Sequence, residues 1–509
     1  MPKRIDHVII VGSGFAGLGM AIRLKQAGFH DFTILEQGSN VGGTWRENHY
    51  PGAACDVESH LYSFSFEPNP DWSRTFAPQK EILAYLERCV DKYDLRPHLR
   101  TRTGVKRAVY DEAKGTWLVE TQSGEKLEAR ALVTACGGLS RPSMPDIKGL
   151  ESFQGKMFHS AQWDHSYALD GKRVAVVGTG ASAIQIIPAI AARVKKLSVF
   201  QRTAPWVIPK ADVPIGPGWR ALYKRVPALQ RAARGFQWTR HEVMALGFVK
   251  NTKILEYASR LARKYIDAKV KDPALRAKVI PTIAMGCKRV LLSNDYYPAL
   301  CKDNVELVTE GIDQVTSRGV RSKDGALRDF DVIVLATGFY AAEQCAPFDV
   351  RGRAGVELDR VWQDGAEAYL GATIAGFPNL FMLVGPNTGL GHSSMIYMIE
   401  SQIAYVVDAV LQMKNRAWKD VEVRADVLSA YNQDLHSKFP GTIWNSGCTS
   451  WYRTSTGKNT TLWPGFTFDF RRRTRRFDPE SYVIVRDHET DEVTRSREAS
   501  LRSTTGISA

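Results

Sequence analysis

One supersecondary pattern occurs twice in this chain, and it restricts the fold more than any other feature. Residues 7–11 (HVIIV) read as a short apolar strand, 14–27 as a helix and 32–36 as a second strand. The pattern returns at 173–177, 181–192 and 197–200. Each strand-to-helix junction is a glycine turn: Gly12-Ser13-Gly14-Phe15-Ala16-Gly17 and, 166 residues later, Gly178-Thr179-Gly180-Ala181-Ser182-Ala183. Apolar strands joined through a helix pair in parallel and need cover on both faces. The fold class expected is therefore α/β, with two Rossmann-like doubly wound domains.

Glycines at such a junction let the backbone turn tightly and approach a pyrophosphate at the positive end of the helix. In the first unit Glu36 ends the second strand 19 residues after Gly17, where a carboxylate accepts hydrogen bonds from a ribose diol. Gly12, Gly14, Gly17 and Glu36 therefore read as an FAD site, and Gly43, Thr44 and Trp45 follow as a further close backbone approach. In the second unit the same 19-residue step from Ala183 reaches Arg202, followed by Thr203. A carboxylate there would repel a 2′-phosphate, whereas a guanidinium binds it bidentately. Gly178, Gly180, Ser182, Arg202 and Thr203 thus point to NADPH rather than NADH.

Buried-strand runs at 331–337 (DVIVLAT) and 380–384 (LFMLV), then a helical stretch at 395–411, suggest that the first domain resumes after the second. The organisation expected is a first FAD-binding part over 1–145, an NADP-binding domain over 146–330, a second FAD-binding part with substrate loops over 331–485, and a polar tail over 486–509. Residues 217–280 have helical spacing and carry 15 Lys or Arg against 4 Asp or Glu, an excess of +11 within a chain of net charge +14. Such a basic helical insertion is a solvated face, or a peripheral contact with an anionic membrane surface. Aromatic residues are not interleaved as a nucleic-acid binder needs, so no nucleic-acid partner is expected. No apolar run is long enough to span a bilayer. Seven widely spaced cysteines without a C-x-x-C pair suggest free thiols in a reducing cytoplasm, and speak against a dithiol-disulfide reductase. The pattern names no oligomeric state.

Between the two fingerprints stands Phe153-x-Gly155-x-x-x-His159-x-x-x-Trp163-Asp164. This spacing resembles the identifying motif of type I Baeyer-Villiger monooxygenases, FAD- and NADPH-dependent members of the flavin monooxygenase superfamily. The resemblance runs from about residue 5 to 465 through Tyr50-Pro51-Gly52, Cys55-Asp56, Cys287-Lys288-Arg289, Ala336-Thr337-Gly338-Phe339 and Gly385-Pro386-Asn387. It implies that Phe153, Gly155, His159 and Trp163 lie in the linker between the domains, with His159 supporting domain movement and NADPH positioning. On the residues alone, His159 among aromatics reads more readily as a core histidine.

A reduced flavin that meets O2 forms a C4a-peroxide, and the charge of that species decides its chemistry. The anion attacks a ketone carbonyl, whereas the protonated form oxidises nitrogen or sulfur. Holding the anion calls for a permanent cation, and arginine is the side chain that stays protonated. The resemblance implies that Arg289 is this cation, that Asp56 pairs with it, and that Lys288 reaches the NADPH 2′-phosphate beside Arg202 and Thr203. The product expected from a ketone and O2 is an ester or lactone; the alternative is an N- or S-oxygenating flavin monooxygenase. Trp451 resembles the tryptophan of the mobile substrate loop, and Met395 to Met398 and Trp444 are further candidates for the pocket wall around a bulky, apolar ketone.

Overall fold

Both repeated units form parallel five-stranded sheets in the computed structural model, which describes residues 6–340, 346–447, 450, 452–454 and 456–486. The first sheet has the order Leu380–Met382, Ala131–Thr134, Val8–Val11, Phe32–Leu35 and Leu99–Arg100. The second has the order Lys156–His159, Val332–Leu335, Arg173–Val177, Lys196–Phe200 and Val305–Val308. Their central strands are Val- and Ile-rich and almost wholly buried, because helices cover one face of each sheet and a small antiparallel sheet covers the other: Val105–Asp111, Thr116–Thr121 and Lys126–Ala129 on the first, Ile312–Val315 and Gly319–Ser322 on the second. The helices that open on the fingerprints run over Phe15–Gln26 and Ala183–Ala191.

The two sheets match position for position, and this corrects the boundary expected at 331. Val332–Leu335 pairs with Arg173–Val177 on one side and Lys156–His159 on the other, so it belongs to the second sheet. Its counterpart in the first sheet is Ala131–Thr134, and the chain rejoins that sheet only at Leu380–Met382. Sequence could not separate these alternatives, since a buried parallel strand reads as the same apolar run in either sheet.

The correspondence reaches the glycine turns. Gly12 has φ +106°, and a Cβ there would lie 2.6 Å from the Ala135 carbonyl oxygen; Gly178 has φ +114°, and a Cβ would lie 2.4 Å from that of Ala336. Each turn presses on the backbone leaving the neighbouring strand, which only glycine allows. At Gly17 a Cβ would lie 1.9 Å from the Gly12 carbonyl oxygen, so helix and turn meet backbone to backbone.

The insertion forms helices over Pro217–Arg225, Pro227–Val249, Lys253–Lys269 and Pro273–Val279. The longest docks on the FAD-binding part through polar groups at helical spacing. Gln230 Nε2 donates to Asn69 O (2.7 Å), Arg234 Nη1 to His60 O (2.7 Å), Trp238 Nε1 to Thr467 Oγ1 (3.0 Å), and Glu242 accepts from Thr467 N (3.0 Å). The opposite face carries Leu229, Phe236 and Val243, spaced by seven and exposed at 42%, 72% and 59%. This helix thus inverts the usual arrangement of apolar inside and polar outside.

Among the described residues no helix is long and apolar enough to cross a membrane. Cys55, Cys89, Cys136 and Cys301 are free thiols. Cys287 is disulfide-bonded, a correction to the expectation of free thiols throughout.

Candidate functional site

The two fingerprints open into one cavity of about 1300 Å³, lined by Gly12, Gly14, Glu36, Gly43, Thr44 and Trp45 at one end and by Gly178, Gly180, Ser182, Arg202, Thr203 and Lys288 at the other. Asp56 and Arg289 line the same cavity. Single-ligand pockets enclose roughly 300–1,000 Å³, so this cavity has room for more than one bound molecule.

Glycine turns floor the first end. A Cβ on Gly14 would meet only the Gly43 Cα, at 3.6 Å, so two bare backbones face one another and leave a channel that a pyrophosphate fits. Gly180 at the other end meets nothing within 4 Å. Glu36 is buried, and more of it is engaged than sequence suggested. Its Oε2 accepts from Ser13 N (3.0 Å) and Oγ (2.7 Å), and its Oε1 accepts from Gly38 N (2.7 Å) and pairs with Arg46 (2.8 Å). A carboxylate has about four acceptor positions and these four donors fill them, so a ribose diol can bond here only by taking the place of one, such as Arg46. Arg46 went unnoticed in the sequence because its partner lies ten residues back.

At the second end Arg202 is exposed and Thr203 half-buried, and the Thr203 carbonyl accepts from Thr179 Oγ1 (3.2 Å). Burial lowers the pKa of Lys288, and the nearby Arg202 charge lowers it further. Two cations held within reach of each other on a concave wall suit a dianionic phosphate.

Arg289 meets Asp56 as a fork. Nε donates to Oδ2 and Nη2 to Oδ1, both at 2.8 Å, with 29% and 27% of the two side chains exposed. The Asp56 charge raises the Arg289 pKa above its already high value. Burial alone would push Asp56 up, but the Arg289 charge and hydrogen bonds outweigh it and hold the carboxyl below its usual range. Nη1 is left with one long contact, 3.4 Å to the Leu390 carbonyl. The fork therefore fixes the guanidinium plane while Asp56 leaves one amino group uncommitted.

Trp45 and Tyr62 line the cavity along with this pair, joined by a hydrogen bond from Trp45 Nε1 to Tyr62 Oη (3.2 Å). Leu390, Met395, Ile399 and Leu462 complete an apolar wall. The rest of the expected wall is displaced. Met398 is fully buried in the core, Tyr397 stacks on Trp238 (5.8 Å), and Trp444 stacks on Phe248 (6.0 Å) away from the cavity. These residues have the right spacing but lie on other faces of their elements. Trp451 lies outside the described residues. Its neighbour Tyr452 is buried, which pushes its pKa up to about 12, while the nearby Arg289 charge opposes the shift.

Gly17, Phe153, Gly155, His159 and Trp163 do not line the cavity. The motif instead packs on itself at the edge of the second sheet. A Cβ on Gly155 would lie 2.5 Å from the Phe153 ring and 2.7 Å from the Asp331 carbonyl oxygen. Phe158 packs on Trp163 (5.0 Å), Lys156 pairs with Asp164 (2.6 Å), and the buried His159 ring meets Phe339 (5.6 Å). Burial lowers the His159 pKa, and Nδ1 accepts from Ala161 N (3.1 Å).

Sequence also missed Gln185. Its amide joins the two domains just ahead of Asp56, accepting from Tyr50 Oη (3.1 Å) and Ala54 N (3.3 Å) and donating to Ala54 O (3.0 Å). A lone glutamine on a helix has no sequence signature for such a role.

Comparison with known proteins matches this geometry to oxidoreductases. The pyridine nucleotide-disulphide oxidoreductase family profile matches residues 9–217. A Baeyer-Villiger monooxygenase of Pseudomonas aeruginosa is 50% identical over 480 residues, 94% of this chain and 91% of that protein. One from Streptomyces coelicolor is 46% identical over 505 residues, 99% of this chain and 97% of that protein. Among solved structures, an oxidized steroid monooxygenase bound to NADP superposes with a TM-score of 0.84 at 32% identity, covering 94% of this chain and 99% of that one. Cyclohexanone monooxygenase from Rhodococcus sp. Phi1 bound to NADP+ superposes at 0.85 and 29% identity, covering 96% and 100%.

Proposed function

This chain belongs to the Baeyer-Villiger monooxygenases, FAD-dependent enzymes that use NADPH and O2 to turn ketones into esters or lactones, and from that membership we propose how its residues divide the work. The observation that supports the division is the single cavity running from one dinucleotide fingerprint to the other past the Asp56–Arg289 fork.

Gly12, Gly14 and Gly43 let the pyrophosphate of FAD approach the backbone, and Glu36 holds the ribose in the place Arg46 otherwise takes. Gly178, Gly180 and Ser182 do the same for NADPH, while Arg202, Thr203 and Lys288 take its 2′-phosphate. Flavin reduced by NADPH supplies the oxygen drawn from O2. Arg289 places a permanent cation where negative charge gathers during transfer to the carbonyl, and a preorganised charge of this kind needs no reorganisation at the moment of reaction. Asp56 orients it. Trp45, Tyr62, Leu390, Met395, Ile399 and Leu462 exclude water and favour a bulky, apolar ketone.

Parallel assays of a cyclic ketone, an aryl ketone and a thioether test this reading. Ester or lactone formation is expected to exceed sulfoxidation. A thioether rate well above both ketone rates, with no ester product, overturns it in favour of an N- or S-oxygenating enzyme.

The inverted amphipathicity of Pro227–Val249 supports one further reading. Its outward apolar stripe lies within a segment of +11 excess charge, a combination that suits the interface of an anionic lipid surface. The protein is expected to co-sediment with anionic vesicles at low salt and to be released as salt rises. Protein that stays in the supernatant even at low salt removes the idea.

A further inference from the structure

The helical insertion also reaches the oxygen-transfer pair, through His241. This residue lies on Pro227–Val249, and both of its ring nitrogens face acceptors. Nε2 is 2.8 Å from Oε2 of the buried Glu58, and Nδ1 is 2.6 Å from the carbonyl of His392. Glu58 follows Asp56 by two residues, and His392 follows Leu390 by two, the residue whose carbonyl faces Arg289 Nη1. The segments 56–58 and 390–392 are thus bridged twice, once by Arg289 and once by His241.

A carbonyl and a carboxylate only accept hydrogen bonds, and a neutral imidazole has a single N–H. Both bridges of His241 hold only when the His241–Glu58 unit keeps one proton beyond a neutral ring beside a carboxylate. Arg240 pairs with the other oxygen of Glu58 and favours the carboxylate. Burial acts first against a charged ring; the hydrogen bond to the His392 carbonyl opposes it, the charges of Arg240 and Arg289 add to it and Asp56 opposes it, so the ring titrates below the ordinary imidazole value. The His392 ring, whose pKa burial lowers to about 3, stays neutral. The extra proton is therefore held against opposition and is lost as pH rises.

We infer that His241 is a positioning residue for oxygen transfer: through the His392 carbonyl it holds the 390–392 segment against Arg289, and it does so only while the His241–Glu58 unit keeps its extra proton. In the protonated state both bonds exist and the Leu390 carbonyl stays beside Nη1. Once the proton leaves, the ring keeps one bond, the segment is released, and Arg289 loses its setting. NADPH binding, which rests on Gly178, Gly180, Ser182 and Arg202, does not respond. The inference rests on Arg289 as the oxygen-transfer cation.

The test reads ester formed per NADPH oxidised, from mildly acidic pH below the ordinary imidazole value up through neutrality, in the FAD-loaded enzyme with a ketone that the parent converts. Asparagine at 241 places its amide where Nδ1 stands and glutamine places it where Nε2 stands. His241→Asn therefore keeps a donor for the His392 carbonyl, and His241→Gln keeps only the bond to Glu58. The parent's yield is expected to fall with rising pH. His241→Asn should keep most of the low-pH yield and lose the pH dependence. His241→Gln and His241→Ala should lose roughly ten- to a hundredfold, with the KM for NADPH unchanged, as misplaced catalytic groups do. Glu58→Gln serves as an independent variant, because its amide donates to Nε2 of a neutral ring; it should retain yield and lack the pH dependence. Equal losses in the Asn and Gln variants that follow their melting temperatures, or parent yields in all four, overturn the positioning role. A parent that makes no ester from any ketone sinks the reading of Arg289 instead, so the two failures are distinct.

Discussion

Arg289→Ala is expected to bind FAD and oxidise NADPH while losing about 10²- to 10³-fold in ketone conversion, the range for removing one preorganised charge-stabilising group. FAD retention follows because Arg289 is not among the groups that form the first glycine turn or bond Glu36. The variant also leaves Asp56 without its partner, and breaking a well-buried pair costs about 3–5 kcal/mol, less at this half-buried site. Arg289→Ala combined with Asp56→Asn removes the orphan charge, so it should recover thermal stability without recovering activity. Flavin absorbance, NADPH consumption and product analysis separate these effects. Arg289→Ala enzyme that converts ketones at the parent rate would show that the cation is not needed. The fork itself does not set a pH profile near neutrality. Arg289 holds Asp56 below its usual range, so the stability Asp56 contributes is complete above about pH 4 and is lost only as pH falls through the folded-state value.

Arg202→Ala is expected to raise the KM for NADPH by roughly 10- to 100-fold, the equivalent of about 1.5–3 kcal/mol for a charge-assisted hydrogen bond. The KM for NADH should barely move, because NADH has no 2′-phosphate for the guanidinium to hold. Initial rates with the two nucleotides give the comparison, and equal changes in both constants would refute the assignment. Burial is the larger cause of the depressed Lys288 pKa, and removing Arg202 takes away the smaller one, so Lys288 should move part of the way back towards its ordinary value. Lys288→Ala should act in the same direction and add to Arg202→Ala less than independently, since both cations line one end of the cavity.

Local pattern carried much of this. Strand, glycine turn and helix are neighbours in sequence, so the two dinucleotide units and their separation could be read directly, and so could the step that puts Glu36 in one unit and Arg202 in the other. The insertion was legible as basic and helical. Its inverted docking was not, because exposed and buried faces of a helix differ only in what each touches. Val332–Leu335 was recognised as a buried strand and assigned to the wrong sheet for a similar reason: apolar composition reports burial and not the neighbour.

The repeated fingerprint, the excess charge over 217–280 and the motif from Phe153 to Trp163 follow from the order of residues, because each depends on chemistry within a few positions or at a fixed period. Tertiary structure alone decided which distant groups meet. Asp56 and Arg289 are 233 residues apart in sequence and form a fork at 2.8 Å; His241 reaches both Glu58 and His392; Gln185 joins the second domain to the segment before Asp56. Such contacts depend on where helices and loops pack, and an isolated charge or amide has no local periodicity from which its partner can be inferred.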